Sequence, residues 1–112
     1  MTRFTGTRYE TELKNILSSR GFNVKNLGQN EAGDLLVMSK RGLSIIEVKS
    51  TSKDRFYYDD RDQLEELKRD SEYVPVYLAV RFLRRRWRAY ELDGRIYGYD
   101  DGFSLEDLIS RL

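Results

Sequence analysis

The sequence predicts an α/β fold in which helices flank a central sheet of five strands, in the order α-β-β-β-α-β-β-α. Three observations predict this fold. Apolar residues recur at helical spacing near the start of the chain, which indicates a one-faced helix. Two apolar runs, residues 35–38 and 43–48, flank a Lys-Arg-Gly turn. A second pair of apolar runs, residues 74–83 and 87–92, flanks three consecutive arginines. No internal repeat or domain boundary divides residues 1–112, so we expect one domain.

The first predicted helix begins near Thr7 and ends at Gly21. Thr7 and Glu10 have the spacing of a capping box, and Gly21 suits the left-handed position that often follows a helix. The expected apolar face of this helix consists of Tyr9, Leu13, Ile16 and Leu17.

The remaining elements have weaker patterns. Residues 22–27 predict a short strand, residues 29–32 a polar loop and residues 52–58 a polar connection. A second helix is expected over about residues 59–70, with acids in its first turn, where the helix dipole favours them. Ser104 resembles the cap of a last helix.

The composition limits the possible chemistry because cysteine and histidine are both absent. Their absence excludes disulfides, thiolate metal sites, histidine triads and ordinary zinc sites. Catalysis must therefore use carboxylates, lysine, tyrosine, hydroxyls or a hard metal ion held by oxygen. No signal peptide or membrane-length apolar run is present, so we expect an intracellular, cytoplasmic protein with no membrane partner.

The charges are unevenly distributed along the chain. The net charge is +1, but residues 1–58 hold 10 Lys or Arg against 6 Asp or Glu, whereas residues 59–112 hold 10 against 13. Chance asymmetry on a solvated surface explains this distribution as well as a locally basic face that meets a polyanion does.

Three charged residues, Asp34, Glu47 and Lys49, lie in the first predicted hairpin. Side chains alternate along a strand, so Glu47 and Lys49 share one face. A two-residue turn at residues 41–42 would place Asp34 opposite Lys49. A turn at residues 40–41 would place Asp34 opposite Glu47 instead. Either register brings two carboxylates and an ammonium group together at one end of the sheet.

These charges admit two interpretations. A cross-strand ion pair, worth about 0.2–1 kcal/mol, explains one acid and one base but leaves the second carboxylate unexplained. Two neighbouring acids repel unless a proton or a cation lies between them, and Mg²⁺ or Mn²⁺ is the natural cation for oxygen ligands. The carbonyl of Val48 can add a ligand. Such a site suits phosphodiester hydrolysis, with Lys49 offsetting the charge that develops on the phosphate.

The hairpin also resembles the PD-(D/E)XK nuclease superfamily, in which an acid is followed by a Glu-x-Lys motif. Here the motif reads GD at residues 33–34 and IEVK at residues 46–49. Other stretches resemble archaeal-type Holliday junction resolvases and cover nearly the whole chain. They are RYETELKNILSSRGFNV, KDRFYYDDRDQLEEL, VPVYLAVRFLRRRWRAYEL and SLEDLI.

The resemblance implies a restriction-endonuclease-like fold with a mixed five-stranded sheet. It implies a metal-dependent, structure-selective endodeoxyribonuclease that resolves four-way DNA junctions by paired symmetric nicks. The cofactor would be Mg²⁺, for which Mn²⁺ substitutes, with no organic cofactor, and the protein would be DNA-associated. Two symmetric nicks need two active sites related by twofold symmetry, and one chain is too short to hold both, so we expect a homodimer.

The family's site residues carry over to four positions: Glu10, Asp34, Glu47 and Lys49. The implied metal ligands are Asp34, Glu47, Glu10 and the carbonyl of Val48. Two positions depart from the family pattern. Gly33 replaces the motif proline, and Thr11 replaces an arginine that grips DNA, for which Arg8 one turn earlier can compensate.

Periodicity alone does not select Glu10. At about 100° per residue, Glu10 lies about 20° from Leu17, at one edge of the apolar stripe. Glu12 lies about 40° from Ile16, at the opposite edge. The capping-box interpretation also gives Glu10 a structural role, so only the resemblance places it in the site.

Basic residues that flank the site are expected to contact DNA phosphates. They are Arg3, Arg8, Lys53, Arg55 and Arg61. Lys53 and Arg61 also match basic positions in the family. Residues 81–88, RFLRRRWR, predict a hairpin turn that is either a solvated tip or a contact with a second DNA arm. Most tyrosines alternate with apolar residues, which indicates sheet packing.

Three other functions remain compatible with the sequence. The first is another PD-(D/E)XK-type repair or restriction-like nuclease acting on duplex or flapped DNA. The second is a non-catalytic DNA-binding module on the same fold, which would be expected to have lost one of Asp34, Glu47 or Lys49. The third is an α/β interaction domain with a buried ion pair and no dependence on metal.

Overall fold

The computed structural model describes residues 2–28 and 34–112, with side chains from residue 8 onward. The loop expected at residues 29–32 and Gly33 lie outside the described residues. The helices are α1 (Thr2–Ser19), α2 (Arg61–Asp70) and α3 (Leu105–Arg111). The strands are β1 (Asn23–Asn26), β2 (Leu35–Ser39), β3 (Gly42–Thr51), β4 (Arg55–Tyr57), β5 (Val76–Phe82), β6 (Trp87–Glu91) and β7 (Ile96–Gly98).

Five strands form the central sheet, in the spatial order β1-β2-β3-β5-β6. The neighbours β3 and β5 are parallel and connected through α2, whereas the other neighbours are antiparallel. The predicted mixed five-stranded sheet is therefore confirmed. Because β3 and β5 run in the same direction, their carboxyl ends emerge at the same end of the sheet.

Two short strands, β4 and β7, were not predicted and pair with each other in a separate antiparallel ribbon. The polar connection expected at residues 52–58 contains β4, so that assignment is wrong in part. Each strand has three residues, which is too short for an alternating pattern to be recognised in the sequence. The ribbon packs Phe56 and Tyr97 against the α2 side of the molecule.

Helix α1 begins at Thr2, so Thr7 lies inside the helix and the predicted capping box is wrong. The side chain of Glu10 is used elsewhere, because its Oε1 accepts a hydrogen bond from Asn26 Nδ2 at 2.9 Å. The carboxylate of Glu10 therefore binds a residue of β1 and does not provide the cap at the start of α1 that the local pattern predicted.

The predicted ends of the helices agree better with the structure. Gly21 has a φ of 94°, and the Phe22 N–H donates to the Leu17 carbonyl at 3.2 Å, which closes α1 as expected. Ser104 caps α3 as predicted, since its hydroxyl accepts from the Asp107 N–H at 3.1 Å. In the described ranges, no helix combines the length and apolar character needed to cross a membrane.

The sheet separates two hydrophobic cores. The core on the α1 and α3 side includes Leu13, Leu17, Ile46, Val48 and Leu108. The core on the α2 side includes Tyr58, Leu64, Leu67, Leu78 and Phe82. Ile46 and Val48 face α1, and side chains alternate along β3. Glu47 and Lys49 are therefore directed toward the α2 side.

The turn between β5 and β6 holds an arginine in an uncommon conformation. The Arg85 N–H donates to the Phe82 carbonyl at 3.0 Å and closes a four-residue turn. Arg84, the third residue of the turn, has a φ of 68°. This left-handed region favours glycine, which has no Cβ to crowd the following carbonyl oxygen, and asparagine, whose short polar side chain can hydrogen-bond locally.

We expect Arg84→Asn to raise the melting temperature by about 2–4 °C, since relieving the left-handed strain is worth about 0.5–1 kcal/mol. Circular dichroism during heating measures this change. Arg86→Asn removes the same charge from the same turn, but the left-handed conformation is at Arg84, so no rise is expected. An equal rise in both variants would assign the effect to charge repulsion instead of backbone strain.

Candidate active site

The β2–β3 hairpin determines which charged residues face each other. Ser39 pairs with Gly42, so the turn occupies residues 40–41, one of the two registers that the sequence allowed. Continuing this register places Asp34 opposite Glu47. Two acids therefore meet directly across the hairpin, as the second of the two alternatives predicts.

Asp34 lies just before β2, and the backbone of β3 holds its carboxylate. Asp34 Oδ2 accepts a hydrogen bond from the Val48 N–H at 2.6 Å. The Asp34 N–H donates to the Ile46 carbonyl at 3.2 Å, so the main chain is held as well. The carbonyl of a strand residue points to the same edge as its N–H, so the Val48 carbonyl also faces Asp34. One carboxylate and one peptide oxygen therefore face each other at the end of the hairpin ladder.

Glu47 is a buried acid next to a partly exposed base. Its side chain is 1% exposed, and its Oε1 lies 3.7 Å from Lys49 Nζ, whose side chain is 32% exposed. The Lys49 ammonium also lies 5.4 Å from the centre of the Tyr58 ring. Burying a carboxylate costs on the order of several kcal/mol unless its partners compensate. The site therefore keeps one desolvated acid beside an ammonium that reaches solvent.

Tyr58 lies in the site, although the sequence pattern assigns the tyrosines to sheet packing. Its side chain is buried, and its hydroxyl donates to Gln63 Oε1 at 2.7 Å. Burial raises the pKa of Tyr58, and the nearby charges of Glu47 and Asp34 raise it further. The hydroxyl is therefore protonated at neutral pH. The available sequence signal was an aromatic residue in a polar segment, just before the cap of α2.

Glu10 on α1 lies near Asp34, at the end of β1. Its Oε1 accepts from Asn26 Nδ2 at 2.9 Å, and Lys14 Nζ donates to Asn26 Oδ1 at 2.7 Å. The pKa of Glu10 is raised, mainly because partial burial disfavours the charged form. The charge of Asp34 raises this pKa further, whereas the Asn26 hydrogen bond and Lys14 lower it.

Glu12, the other acid that periodicity allowed, faces a different part of the sheet. Its Oε1 accepts a hydrogen bond from Trp87 Nε1 at 3.1 Å and lies 3.9 Å from Arg81 Nε. Helix α1 thus directs Glu10 toward β1 and the hairpin charges, and Glu12 toward β5 and β6. The charge of Asp34 raises the pKa of Glu10, which agrees with the direction of Glu10 toward the hairpin.

The oxygen atoms of this site fit a hard divalent metal ion. Among residues 2–28 and 34–112, no three acidic, histidine or cysteine side chains converge closely enough to hold a metal by themselves. Asp34, Glu47 and the Val48 carbonyl supply two carboxylates and a peptide oxygen. Mg²⁺ is commonly bound by one or two carboxylates, with water and substrate phosphate completing its shell. Such a donor set therefore fits a hard divalent cation held by oxygen ligands.

Four of the basic residues expected to contact DNA have described side chains, and all four are exposed. They are Arg8, Lys53, Arg55 and Arg61. Lys53 and Arg55 lie within the chain segment that leads from Lys49 to Tyr58, and Arg61 follows it at the start of α2. Arg3 belongs to α1, but its side chain lies outside the described part of the chain.

Comparison of the sequence with known proteins identifies a family and a similar protein within it. A family model described as archaeal Holliday junction resolvase (Hjc) matches residues 1–112. A crossover junction endodeoxyribonuclease Hjc from Methanocaldococcus jannaschii is 35% identical over 79 residues, which cover 69% of this chain. The matched segment spans 59% of that relative's own length.

Comparison of the fold gives a further match. The chain superposes on the structure of Archaeoglobus fulgidus Hjc, a Holliday junction resolvase from an archaeal hyperthermophile, with a TM-score of 0.80. The superposition covers 95% of this chain and 96% of the other, at 21% sequence identity. At this identity the likeness shows the fold, which is restriction-endonuclease-like, as predicted.

We expect Glu10→Gln to increase the free energy of unfolding at pH 7 and to change it little at pH 3. A pKa raised by folding means that the contribution of Glu10 to stability is present below its unfolded pKa and is lost as the pH rises through its folded pKa. Glutamine has no charge to desolvate and can still accept the hydrogen bond from Asn26. Urea denaturation at the two pH values measures the difference.

Glu12→Gln is the matched control for this experiment. It makes the same chemical change on the same helix but removes the ion pair with Arg81, so no increase is expected at pH 7. If both variants were stabilised equally, the environment of Glu10 would not be the cause, and its position beside Asp34 would carry no energetic consequence.

Proposed function

Because the chain belongs to the archaeal Holliday junction resolvase family, we propose that it resolves four-way DNA junctions by hydrolysing phosphodiester bonds in paired symmetric nicks. Nucleases of this kind are metal-dependent. We assign the activity to a single nuclease domain over residues 1–112.

The observation that carries the proposal is the burial of Glu47 beside Lys49 and opposite Asp34. A well-packed apolar residue at position 47 would be expected to stabilise the fold at least as well as a buried acid. A charged group kept where it costs stability is typical of a functional site. The spacing of these residues is also the spacing of the motif that defines this nuclease superfamily.

We infer that Mg²⁺ is the cofactor and that Mn²⁺ substitutes for it. Asp34, Glu47 and the Val48 carbonyl would hold the ion, with Glu10 as an outer carboxylate beside Asp34. When bound, such an ion polarises the phosphoryl oxygen and makes water a stronger nucleophile. The hydrogen bond from the Val48 N–H supports this assignment, because it fixes the orientation of the Asp34 carboxylate. This chemistry requires no organic cofactor.

Lys49 supplies positive charge to the reacting phosphate, and Tyr58 is a positioning residue. The Lys49 ammonium is near enough to Glu47 to be held in place and exposed enough to meet a substrate. It offsets the negative charge that develops in the transition state and orients the attacking water. The Tyr58 ring, 5.4 Å from that ammonium, limits where the lysine side chain can move.

The substrate and the assembly follow from the same proposal. Basic residues that flank the site residues in the sequence would bind phosphates and fix the position of the DNA. They are Arg3, Arg8, Lys53, Arg55 and Arg61. Two symmetric nicks require two sites related by a twofold axis, so the active form would be a homodimer.

The proposal is tested by incubating the protein with a labelled four-way junction and, separately, with a linear duplex of the same arms. Each DNA is incubated with Mg²⁺ and with EDTA. We expect paired symmetric nicks in the junction alone, only with Mg²⁺, and a loss of about 10²–10³-fold or more in Glu47→Gln. Glutamine preserves the volume of the buried side chain, so the melting temperature of the variant should not fall.

Glu65→Gln provides the control, because Glu65 is an exposed acid on α2 whose side chain is 63% exposed. It should cut like the wild type. If duplex and junction were cut equally, phosphodiester hydrolysis would be supported, but the protein would be a general nuclease and not a resolvase. Binding without cutting, with either divalent ion, would contradict the catalytic proposal and leave a DNA-binding module.

A further inference from the structure

The turn between β5 and β6 carries Arg84, Arg85 and Arg86, which we call the arginine turn. It emerges from the end of the sheet at which the candidate active site lies, because Lys49 in β3 pairs with Val80 in the parallel strand β5. At about 3.3 Å per strand residue, the end of β5 at Phe82 lies about 7 Å beyond the level of Lys49, and the turn follows it.

Arginine side chains brace this turn from within. Arg81 Nη1 donates to the carbonyls of Phe82 at 2.7 Å and Arg85 at 2.9 Å. The Arg85 guanidinium lies 3.6 Å from the centre of the Tyr99 ring. It also lies 3.3 Å from Asp54 Oδ1. These contacts hold the backbone of the turn in one conformation.

Arg88 adds to the same bracing, since its Nε donates to the Tyr99 carbonyl at 3.0 Å and its Nη2 donates to the Gly102 carbonyl. Arg84 and Arg86, by contrast, extend into solvent as exposed side chains. Arg84 does so from a left-handed backbone position that disfavours arginine. A braced turn that presents two guanidinium groups loses little conformational entropy on binding, and guanidinium matches phosphate in geometry.

The surface beneath the turn is also basic. A cavity of about 390 Å³ has a charged lining of Arg81, Arg85, Arg86 and Arg88 against Glu12 and Glu106. The guanidinium carbons of Arg8 and Arg81 lie 5.6 Å and 6.0 Å from the centre of the Tyr9 ring, which extends this surface along α1. Because Glu12, Arg81 and Trp87 line it, this cavity lies on the α1 and α3 side of the sheet, whereas the guanidinium groups of Arg85 and Arg88 reach Tyr99 on the α2 side.

The candidate active site faces the other side. The side chains of Glu47 and Lys49 point toward α2, where Tyr58 packs beside them. A straight duplex placed against Lys49 follows the α2 side, whereas the cavity beneath Arg86 opens on the α1 side. Branched DNA sends its arms in different directions and can contact both sides at once.

We propose that the arginine turn binds the phosphate backbone of a second junction arm, one that does not contain the phosphate at the active site. Arg84 and Arg86 make the contacts, and Arg81, Arg85 and Arg88 hold the turn in position. This inference rests on the proposed function, because only a branched substrate has a second arm. It also identifies the residues through which the protein distinguishes a junction from a linear duplex.

The test is the salt dependence of DNA binding by the variant Arg84→Asn/Arg86→Gln, measured by fluorescence anisotropy in EDTA. Asparagine suits the left-handed position, so the variant is expected to fold. A contact with one phosphate contributes about one unit to the slope of log Kd against log salt concentration. Each protomer of the proposed homodimer carries both residues, so we expect the slope for a four-way junction to fall by about four. The slope for a linear duplex of one arm's length should remain that of the wild type.

The matched control is Lys40→Gln/Arg69→Gln, which removes two exposed positive charges from the opposite end of the sheet. Its slopes should equal those of the wild type on both DNAs. Wild-type cutting of the junction in Mg²⁺ is measured in parallel, so that the two proposals are judged separately.

Three outcomes would overturn the inference. If the wild type cuts the junction but the variant keeps its slope, the proposed function stands and the arginine turn is not a DNA contact. If the slope falls equally for junction and duplex, the turn binds DNA but not a second arm. If the slope falls as much for the control variant as for the test variant, the loss of net positive charge alone explains the effect. A wild type that cuts neither DNA overturns the proposed function, while the slopes still decide where the turn binds.

Discussion

The site depends on the hydrogen bond between the Asp34 carboxylate and the backbone N–H of Val48. This contact exists only in the register in which the β2–β3 turn occupies residues 40–41, since that register places Asp34 opposite Glu47. A shift of one residue would exchange the two faces of β3 and move the buried acid into the opposite core. The apolar neighbours Ile46 and Val48 oppose such a shift, because both are buried against α1.

Strand β3 therefore contributes both to the hydrophobic core and to the candidate active site. Its even-numbered residues complete the core beneath α1, and its odd-numbered residues bring Glu47 and Lys49 to the α2 side. The parallel neighbour β5 adds the arginine turn at the same end of the sheet. Helix α1 crosses the other side, with Glu10 toward the hairpin and Glu12 toward Trp87. Burial of Glu47 costs free energy that the two flanking cores must offset.

Local patterns failed where a tertiary contact competed with them or where an element was very short. The Thr7 and Glu10 spacing satisfied the rule for a helix start, but Asn26 binds the side chain of Glu10 and the helix begins at Thr2. The three-residue strands β4 and β7 stabilise each other through pairing between distant segments, which no local pattern records. Tyr58 was missed for the same reason, since its neighbours in the site come from β3 and α2.

The sequence by itself determined the elements of the central sheet, the end of α1 at Gly21, the Ser104 cap and the common face of Glu47 and Lys49. These features depend on side-chain alternation, backbone preference and residue type, all of which are local. Only the tertiary structure decided between the two hairpin registers, and directed the Glu10 side chain toward Asn26 and the Glu12 side chain toward Trp87. Each of those outcomes depends on contacts between segments far apart in the chain. The free energy of such contacts cannot be inferred from any short stretch of sequence.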